Sequence, residues 1–117
     1  MPGPITRQPG IATHRSRGAS AGDLVFAVAI AVGNTDKPMY DQTKAALARI
    51  DDSLSFFHTD KSRIVTAVVY IADINQKSEM NRAWEQWVDP TALPMRACQE
   101  GKLEDGYLVE IMVTAVK

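Results

Sequence analysis

The sequence is poor in the residues that build disulfides, metal sites and histidine-based active sites. It has one cysteine, so no disulfide can form within the chain, which suits a reducing compartment. Its two histidines, His14 and His58, stand apart from each other and from any cluster of cysteines or carboxylates, so no metal-ligand spacing is present. The glycine patterns that bind phosphates or dinucleotides are also absent. We therefore expect neither a metal nor another cofactor.

An excess of charge of one sign is missing as well. Lysine and arginine total 13 and aspartate and glutamate total 14, which gives a net charge of −1. Nucleic-acid-binding proteins usually carry a basic excess, because phosphate neutralisation drives their affinity, so a nucleic-acid partner is disfavoured. The longest apolar run, residues 24–32, is too short to span a bilayer, and the N-terminus lacks the apolar segment of a signal peptide. These features predict a cytoplasmic protein without a membrane partner.

What the sequence does contain fits one domain over residues 1–117, since 45% of the residues are hydrophobic and 23% are charged. Two segments, residues 24–31 and 64–72, are apolar at consecutive positions and rich in β-branched residues, which predicts strands covered on both faces. Further strands are predicted at residues 95–100 and 107–116, and at most a short edge strand at residues 5–7.

Two other segments have the spacing of amphipathic helices. The first carries a stripe at intervals of three and four residues: Tyr40, Thr43, Leu47, Ile50, Leu54 and Phe57. Asp36, ahead of Pro38, is a candidate N-cap for this helix. The second carries its apolar face at Met80, Ala83, Trp84, Trp87 and Val88. Trp84 and Trp87 could form an aromatic platform for a ligand, but their spacing favours core packing.

The predicted order is β-β-α-β-α-β-β, with room for one more strand at the start. Two helices and five or six strands favour an α+β fold, in which one mixed sheet carries both helices on one face. The other face of that sheet would then have no cover, although residues 64–72 are apolar on both sides. We expect a partner subunit to cover it.

Several short motifs occur in a characteristic order along the chain. They are Tyr40-Asp41-Gln42-Thr43, Thr59-Asp60-Lys61-Ser62-Arg63-Ile64, Tyr70-Ile71-Ala72-Asp73, Met80-Asn81 with Trp84, Pro94-Met95-Arg96-Ala97-Cys98 and Val109-Glu110-Ile111. Together they resemble the Rid family, also called RidA, YjgF or L-PSP-like. The resemblance implies a chorismate-mutase-like α+β fold and a homotrimer with clefts between subunits. It also implies hydrolysis of reactive enamines and imines, such as 2-aminoacrylate, to 2-keto acids and ammonia.

Arg96 is the first candidate site residue. A guanidinium offers a rigid fork of donors that matches a carboxylate, and the resemblance implies that Arg96 binds the carboxylate of the substrate. The alternative is a surface arginine or a structural ion pair. Cys98 shares the face of Arg96 on the same strand. The resemblance implies that this segment, with Ala97 and Cys98, lines the pocket and offers backbone groups to the substrate nitrogen. A nucleophilic role for Cys98 is disfavoured, because an isolated cysteine often serves as a small apolar residue.

Glu110 is the second candidate catalytic residue, since it interrupts an otherwise apolar strand. Held in a cleft, its carboxylate could take part in proton transfer, and the resemblance implies that it orients the attacking water. The alternative is a glutamate that points outward from the sheet.

The chain departs from the family at several places. Residues 13–16 stand where the family has Gly-Pro-Tyr-Ser, which puts Arg15 in place of a tyrosine that lines the cleft, and residues 28–30 replace Ser-Gly-Gln. If Arg15 reaches the cleft, two cations would favour a dicarboxylate or a more anionic ligand. The alternative is a solvated charge near Arg7 and Arg17. His58 replaces a glycine, and histidine tolerates a left-handed conformation better than β-branched residues do.

Three functions remain open at this point. The first is an enamine or imine deaminase, close to 2-iminobutanoate/2-iminopropanoate deaminases, that acts on a small carboxylate-bearing substrate. The second is a binding or regulatory protein with the same fold and no turnover, which the changes at residues 13–16 and 28–30 keep open. The third is a ribonuclease, which is the weakest because the chain lacks a basic excess and a histidine pair.

Overall fold

The computed structural model describes residues 4–117, which leaves residues 1–3 of the predicted domain outside it. Its helices and strands are β1 (Ile5–Pro9), β2 (Ser16–Ala21), β3 (Leu24–Ile30), α1 (Met39–Phe56), β4 (Ile64–Ile71), α2 (Lys77–Trp87), β5 (Met95–Glu100) and β6 (Val109–Val116). Three strands therefore precede the first helix, as the prediction of one extra strand allowed. The sequence pattern did not delimit β2.

The strands form one mixed sheet in the order β1-β2-β3-β6-β4-β5. Every neighbouring pair is antiparallel except β4 and β5, which are parallel and are joined through α2. Helix α1 packs on β3, β6 and α2, so both helices cover the same face. The predicted α+β arrangement, a mixed sheet with two helices on one face, is confirmed.

The core lies between the sheet and the two helices. Leu47, Ile50 and Leu54 of α1 are fully buried there, which is the helical stripe that the spacing predicted. Trp84 of α2 is 6% exposed and belongs to the same core, and Trp87 packs against its edge. Core packing is therefore confirmed for both tryptophans.

Helix α1 begins without a side-chain cap. The N-cap residue is Pro38, and no side chain bonds to the free amides of the first turn there. The prediction that Asp36 caps this helix was wrong, because Asp36 lies two residues before the N-cap. Gln42 instead anchors this end from the inside: its side chain donates to the Gly106 carbonyl and accepts from the Leu108 amide, at 2.8 and 2.9 Å.

The second face of the sheet has no cover within residues 4–117. Large apolar side chains are exposed on it, among them Leu24, Phe26 and Met112 at 40–45%. We call this surface the open face. The sequence predicted strands that are covered on both faces, but in the single chain these strands are covered on one face only. No helix in residues 4–117 is both long enough and apolar enough to cross a bilayer.

His58, just after α1, adopts a left-handed backbone conformation with φ of 62°. This is the conformation expected at a position where the family has a glycine. A non-glycine residue there costs about 1 kcal/mol. We expect His58→Gly to raise the free energy of unfolding by roughly 0.5–1 kcal/mol, as measured by urea denaturation. Ser55→Gly, in the last turn of α1, is the matched control and should lower it by roughly 0.5 kcal/mol. Destabilisation by His58→Gly would contradict the argument.

Candidate functional site

Arg96 lies on the helix-covered side of the edge strand β5. It is paired with Ala67 of the parallel neighbour β4, and residues paired in this way point to the same face. Ala67 and Val69 are buried under the helices, so the Arg96 side chain extends from β5 toward α2. Because β5 ends the sheet, Arg96 remains half-buried rather than enclosed.

Three neutral groups of α2 hold the Arg96 guanidinium. One Nη donates to Asn81 Oδ1 at 2.8 Å, the other lies 3.8 Å from Met80 Sδ, and the guanidinium carbon sits 5.1 Å from the centre of the Trp84 ring. Among the described residues, the one ion pair joins Arg82 to Glu79. The guanidinium is thus positioned without being neutralised, and it is not in a structural ion pair. Asn81 was quoted in the family motifs but was missed as a site residue.

The neighbours of Arg96 on β5 divide between the two faces. Cys98 is paired with Val69 and packs, half-buried, against the core beside Arg96, as the strand period predicts. Ala97 is paired with Val68 and is exposed on the open face. The two predicted substrate-binding positions thus flank the edge of the sheet from opposite sides.

Glu110 lies on the open face, on the other side of the sheet from Arg96. It is paired with Ile30 on one side and Tyr70 on the other. Tyr70 and Ala67 are three residues apart on β4, so their side chains point to opposite faces. The structure therefore does not bring Arg96 and Glu110 of one chain together.

Glu110 lies instead beside Arg15, Val28 and Ile30. These four residues line two adjoining cavities. The larger one, which we call the outer cavity, has a volume of about 270 Å³ and is also lined by Lys102 and Tyr107 among others. The smaller one, which we call the inner cavity, has a volume of about 70 Å³ and is also lined by Arg17 and Arg49 among others. The structure thus places Arg15 with Glu110.

Arg17 and Arg49 are functional candidates that the sequence analysis missed. Arg17 Nη2 donates to the Arg49 carbonyl at 3.0 Å, and the Nε atoms of both side chains are buried without a hydrogen-bond partner in the described chain. Burial lowers the pKa of Arg17, the neighbouring Arg49 guanidinium lowers it further, and Asp52 opposes the shift. Arg49 lies outside the apolar stripe that predicted α1, and the two arginines are 32 residues apart, so no local pattern links them.

The chain matches known proteins over most of its length. The family model described as Endoribonuclease L-PSP matches residues 9–117. A RutC family protein of Haemophilus ducreyi is 46% identical over 80 residues, which is 68% of each chain. A YjgF family member from Neisseria meningitidis has a TM-score of 0.91 at 32% identity, over 97% of this chain and 95% of that one.

A protein of the conserved Rid family from Yersinia pestis, YyfA, superposes with a TM-score of 0.84 at 27% identity, over 95% of this chain and 94% of that one. With the YjgF member, it confirms the predicted chorismate-mutase-like α+β fold. Together with the family model, which covers almost the whole chain, these matches confirm the resemblance noted in the sequence. The chain belongs to the endoribonuclease L-PSP family, the group also called YjgF or Rid.

Proposed function

We propose that this protein hydrolyses reactive enamines and imines of the 2-aminoacrylate type to 2-keto acids and ammonia, as a 2-iminobutanoate/2-iminopropanoate deaminase would. The observation that carries the proposal is the state of Arg96. Its guanidinium is fixed by Asn81, Met80 and Trp84, which are neutral, and it remains partly accessible. A positioned cation without a counter-ion is suited to bind a substrate carboxylate.

The proposed site combines two copies of the chain. Arg96 lies at the edge strand and Glu110 lies on the open face, so one chain cannot present both to the same small molecule. If the open face of one copy packs beside β5 of the next, both groups line one cleft, and the exposed Phe26 and Met112 become buried. Cyclic assemblies repeat one such interface, so three copies packed in this way would form the homotrimer with clefts between subunits that the family resemblance implies.

The chemistry needs few groups, because an imine carbon is already electrophilic. An enamine such as 2-aminoacrylate first takes a proton from solvent at its terminal carbon and becomes the iminium ion, which is the protonated imine. Water then adds to the iminium carbon while Glu110 accepts a proton from the water, which gives a carbinolamine. Glu110 returns that proton to the nitrogen, and the C–N bond breaks as the hydroxyl group gives its own proton to Glu110 and from there to solvent, so that ammonia and the 2-keto acid are released. Arg96 holds the carboxylate throughout, so the reacting atoms stay next to Glu110.

The backbone of Ala97 and Cys98 continues from Arg96 along β5, and we assign to it the contacts with the substrate nitrogen. Cys98 is packed against the core, which supports a pocket-lining role rather than a nucleophilic one. The predicted cytoplasmic location is retained as part of the proposal.

The test couples the purified protein to a dehydratase that releases 2-iminobutanoate from threonine, with semicarbazide present to trap the imine. Hydrolysis by this protein competes with trapping, so semicarbazone formation should fall as protein is added. A heat-denatured sample of the same protein is the control. An unchanged rate of semicarbazone formation at a large excess of folded protein would rule out the proposed activity.

Binding without turnover is the second candidate, and one observation favours it. The wall of the inner cavity at Val28 and Ile30 is apolar, where the family has a Ser-Gly-Gln stretch. A binding protein would show thermal stabilisation by 2-ketobutyrate and no change in semicarbazone formation. The ribonuclease alternative has no support from the charge of the chain, which is −1.

A further inference from the structure

We propose that the inner cavity binds a second anionic group of the substrate, so that the preferred imine is that of a short dicarboxylic acid. The imine part of this statement rests on the proposed function, whereas the anion site does not. The site consists of Arg15, Arg17 and Arg49, and Val28, Ile30 and Glu110 line the same cavity.

The lining of the inner cavity has more positive than negative side chains. It contains three arginines, and Glu110 is the one acidic residue among its lining residues. Neither Arg17 nor Arg49 takes part in an ion pair within residues 4–117. Burial lowers the pKa of Arg17, repulsion by the neighbouring Arg49 guanidinium lowers it further, and Asp52 only partly offsets this repulsion. An anion in the cavity would convert this repulsion into attraction.

Guanidinium groups line the inner cavity. Within the described residues Arg17 Nη2 donates to the Arg49 carbonyl at 3.0 Å, and the Nε atoms of Arg17 and Arg49 are buried without a partner. Carboxylate oxygens are acceptors only, and bonds between them and a guanidinium are strong, so a carboxylate in the cavity suits the arginines that line it.

The inner cavity is the smaller of the two that Glu110 lines, and its volume of about 70 Å³ has room for a carboxylate group. It adjoins the outer cavity of about 270 Å³, and both are lined by Glu110. A ligand whose reacting carbon lies beside Glu110 could therefore extend a short methylene chain past Val28 and Ile30 and place its distal carboxylate among the arginines.

The test uses two unreactive acids with four carbons each. By isothermal titration calorimetry, succinate should bind the wild-type protein at least about tenfold more tightly than butyrate, since it gains charged hydrogen bonds in the inner cavity. Arg49→Gln should remove that preference. Arg17→Lys, which keeps the charge but loses the planar fork of donors, should reduce the preference for succinate. Arg82→Gln, at an exposed position of α2, is the matched control and should keep the full preference for succinate.

Equal affinities for succinate and butyrate, no measurable succinate binding, or an undiminished succinate preference in folded Arg49→Gln would each overturn the inference. The semicarbazide assay, run with 2-iminobutanoate and with 2-iminosuccinate, separates this inference from the proposed function. Succinate preference without hydrolysis of either imine would defeat the proposed function and leave the anion site. Hydrolysis of both imines without succinate preference would defeat only the anion site.

Discussion

Arg96→Ala is expected to lower kcat/KM for 2-iminobutanoate hydrolysis by roughly 100-fold or more, because it removes the cation that we propose binds the substrate carboxylate. The fold should survive, since Arg96 is half-buried and its contacts are one hydrogen bond to Asn81, one to the sulfur of Met80 and a cation–π contact with Trp84. The measurements are the semicarbazide assay for activity, and circular dichroism and sedimentation for the fold and the oligomer.

Two variants make this prediction sharper. Arg96→Lys keeps a positive charge but loses the planar fork, so it should recover only part of the lost activity. Arg82→Ala removes an arginine from the neighbouring surface of α2, where it pairs with Glu79, and should leave kcat/KM within about twofold of wild type, as surface ion pairs contribute little. Full activity in Arg96→Ala would refute the role assigned to Arg96.

The parts of the fold that the sequence predicted are those set by local periodicity. The stripe of α1 and the continuous apolar runs of β3 and β4 appear as short-range patterns, and the structure has a helix and two strands there. Burial follows the stripe of α1, whereas β3 and β4 are buried on one face only. Strand β2 was not delimited, because its sequence, SRGASA, consists mostly of small residues without clear alternation. It is a strand because it pairs with β3 across a tight turn at Gly22, where φ is 57°.

The candidate site was only partly predictable for a related reason. The shared face of Arg96 and Cys98 follows from a period of two along one strand. The separation of Arg96 from Glu110 follows from the register of β5 and β6 against β4, which pairs Arg96 with Ala67 and Glu110 with Tyr70. The approach of Arg17 to Arg49 depends on how α1 docks against the sheet. Such long-range placements leave no local pattern in the sequence.

Glu110→Gln should be the second inactive variant, for a reason different from that of Arg96→Ala. Glutamine keeps the size of the side chain but cannot accept the proton from water, so kcat should fall by roughly 10²- to 10⁴-fold. Butyrate affinity should stay close to wild type, because Arg96 is intact. Activity assays and calorimetry separate the two effects. A variant that kept its kcat, or that lost kcat and butyrate affinity equally, would contradict proton transfer by Glu110.

Because Arg96 and Glu110 lie on opposite faces of the sheet, we expect the Arg96→Ala and Glu110→Gln variants to complement each other in mixed oligomers. If each site takes Arg96 from one copy and Glu110 from the next, mixed oligomers of Arg96→Ala and Glu110→Gln contain intact sites. In a random mixture about one site in four combines both native residues, so co-expression should restore about a quarter of wild-type activity. A site within one chain would gain nothing from mixing. Co-expressed oligomers, shown by mass spectrometry to contain both variants, that remain inactive would exclude a shared site.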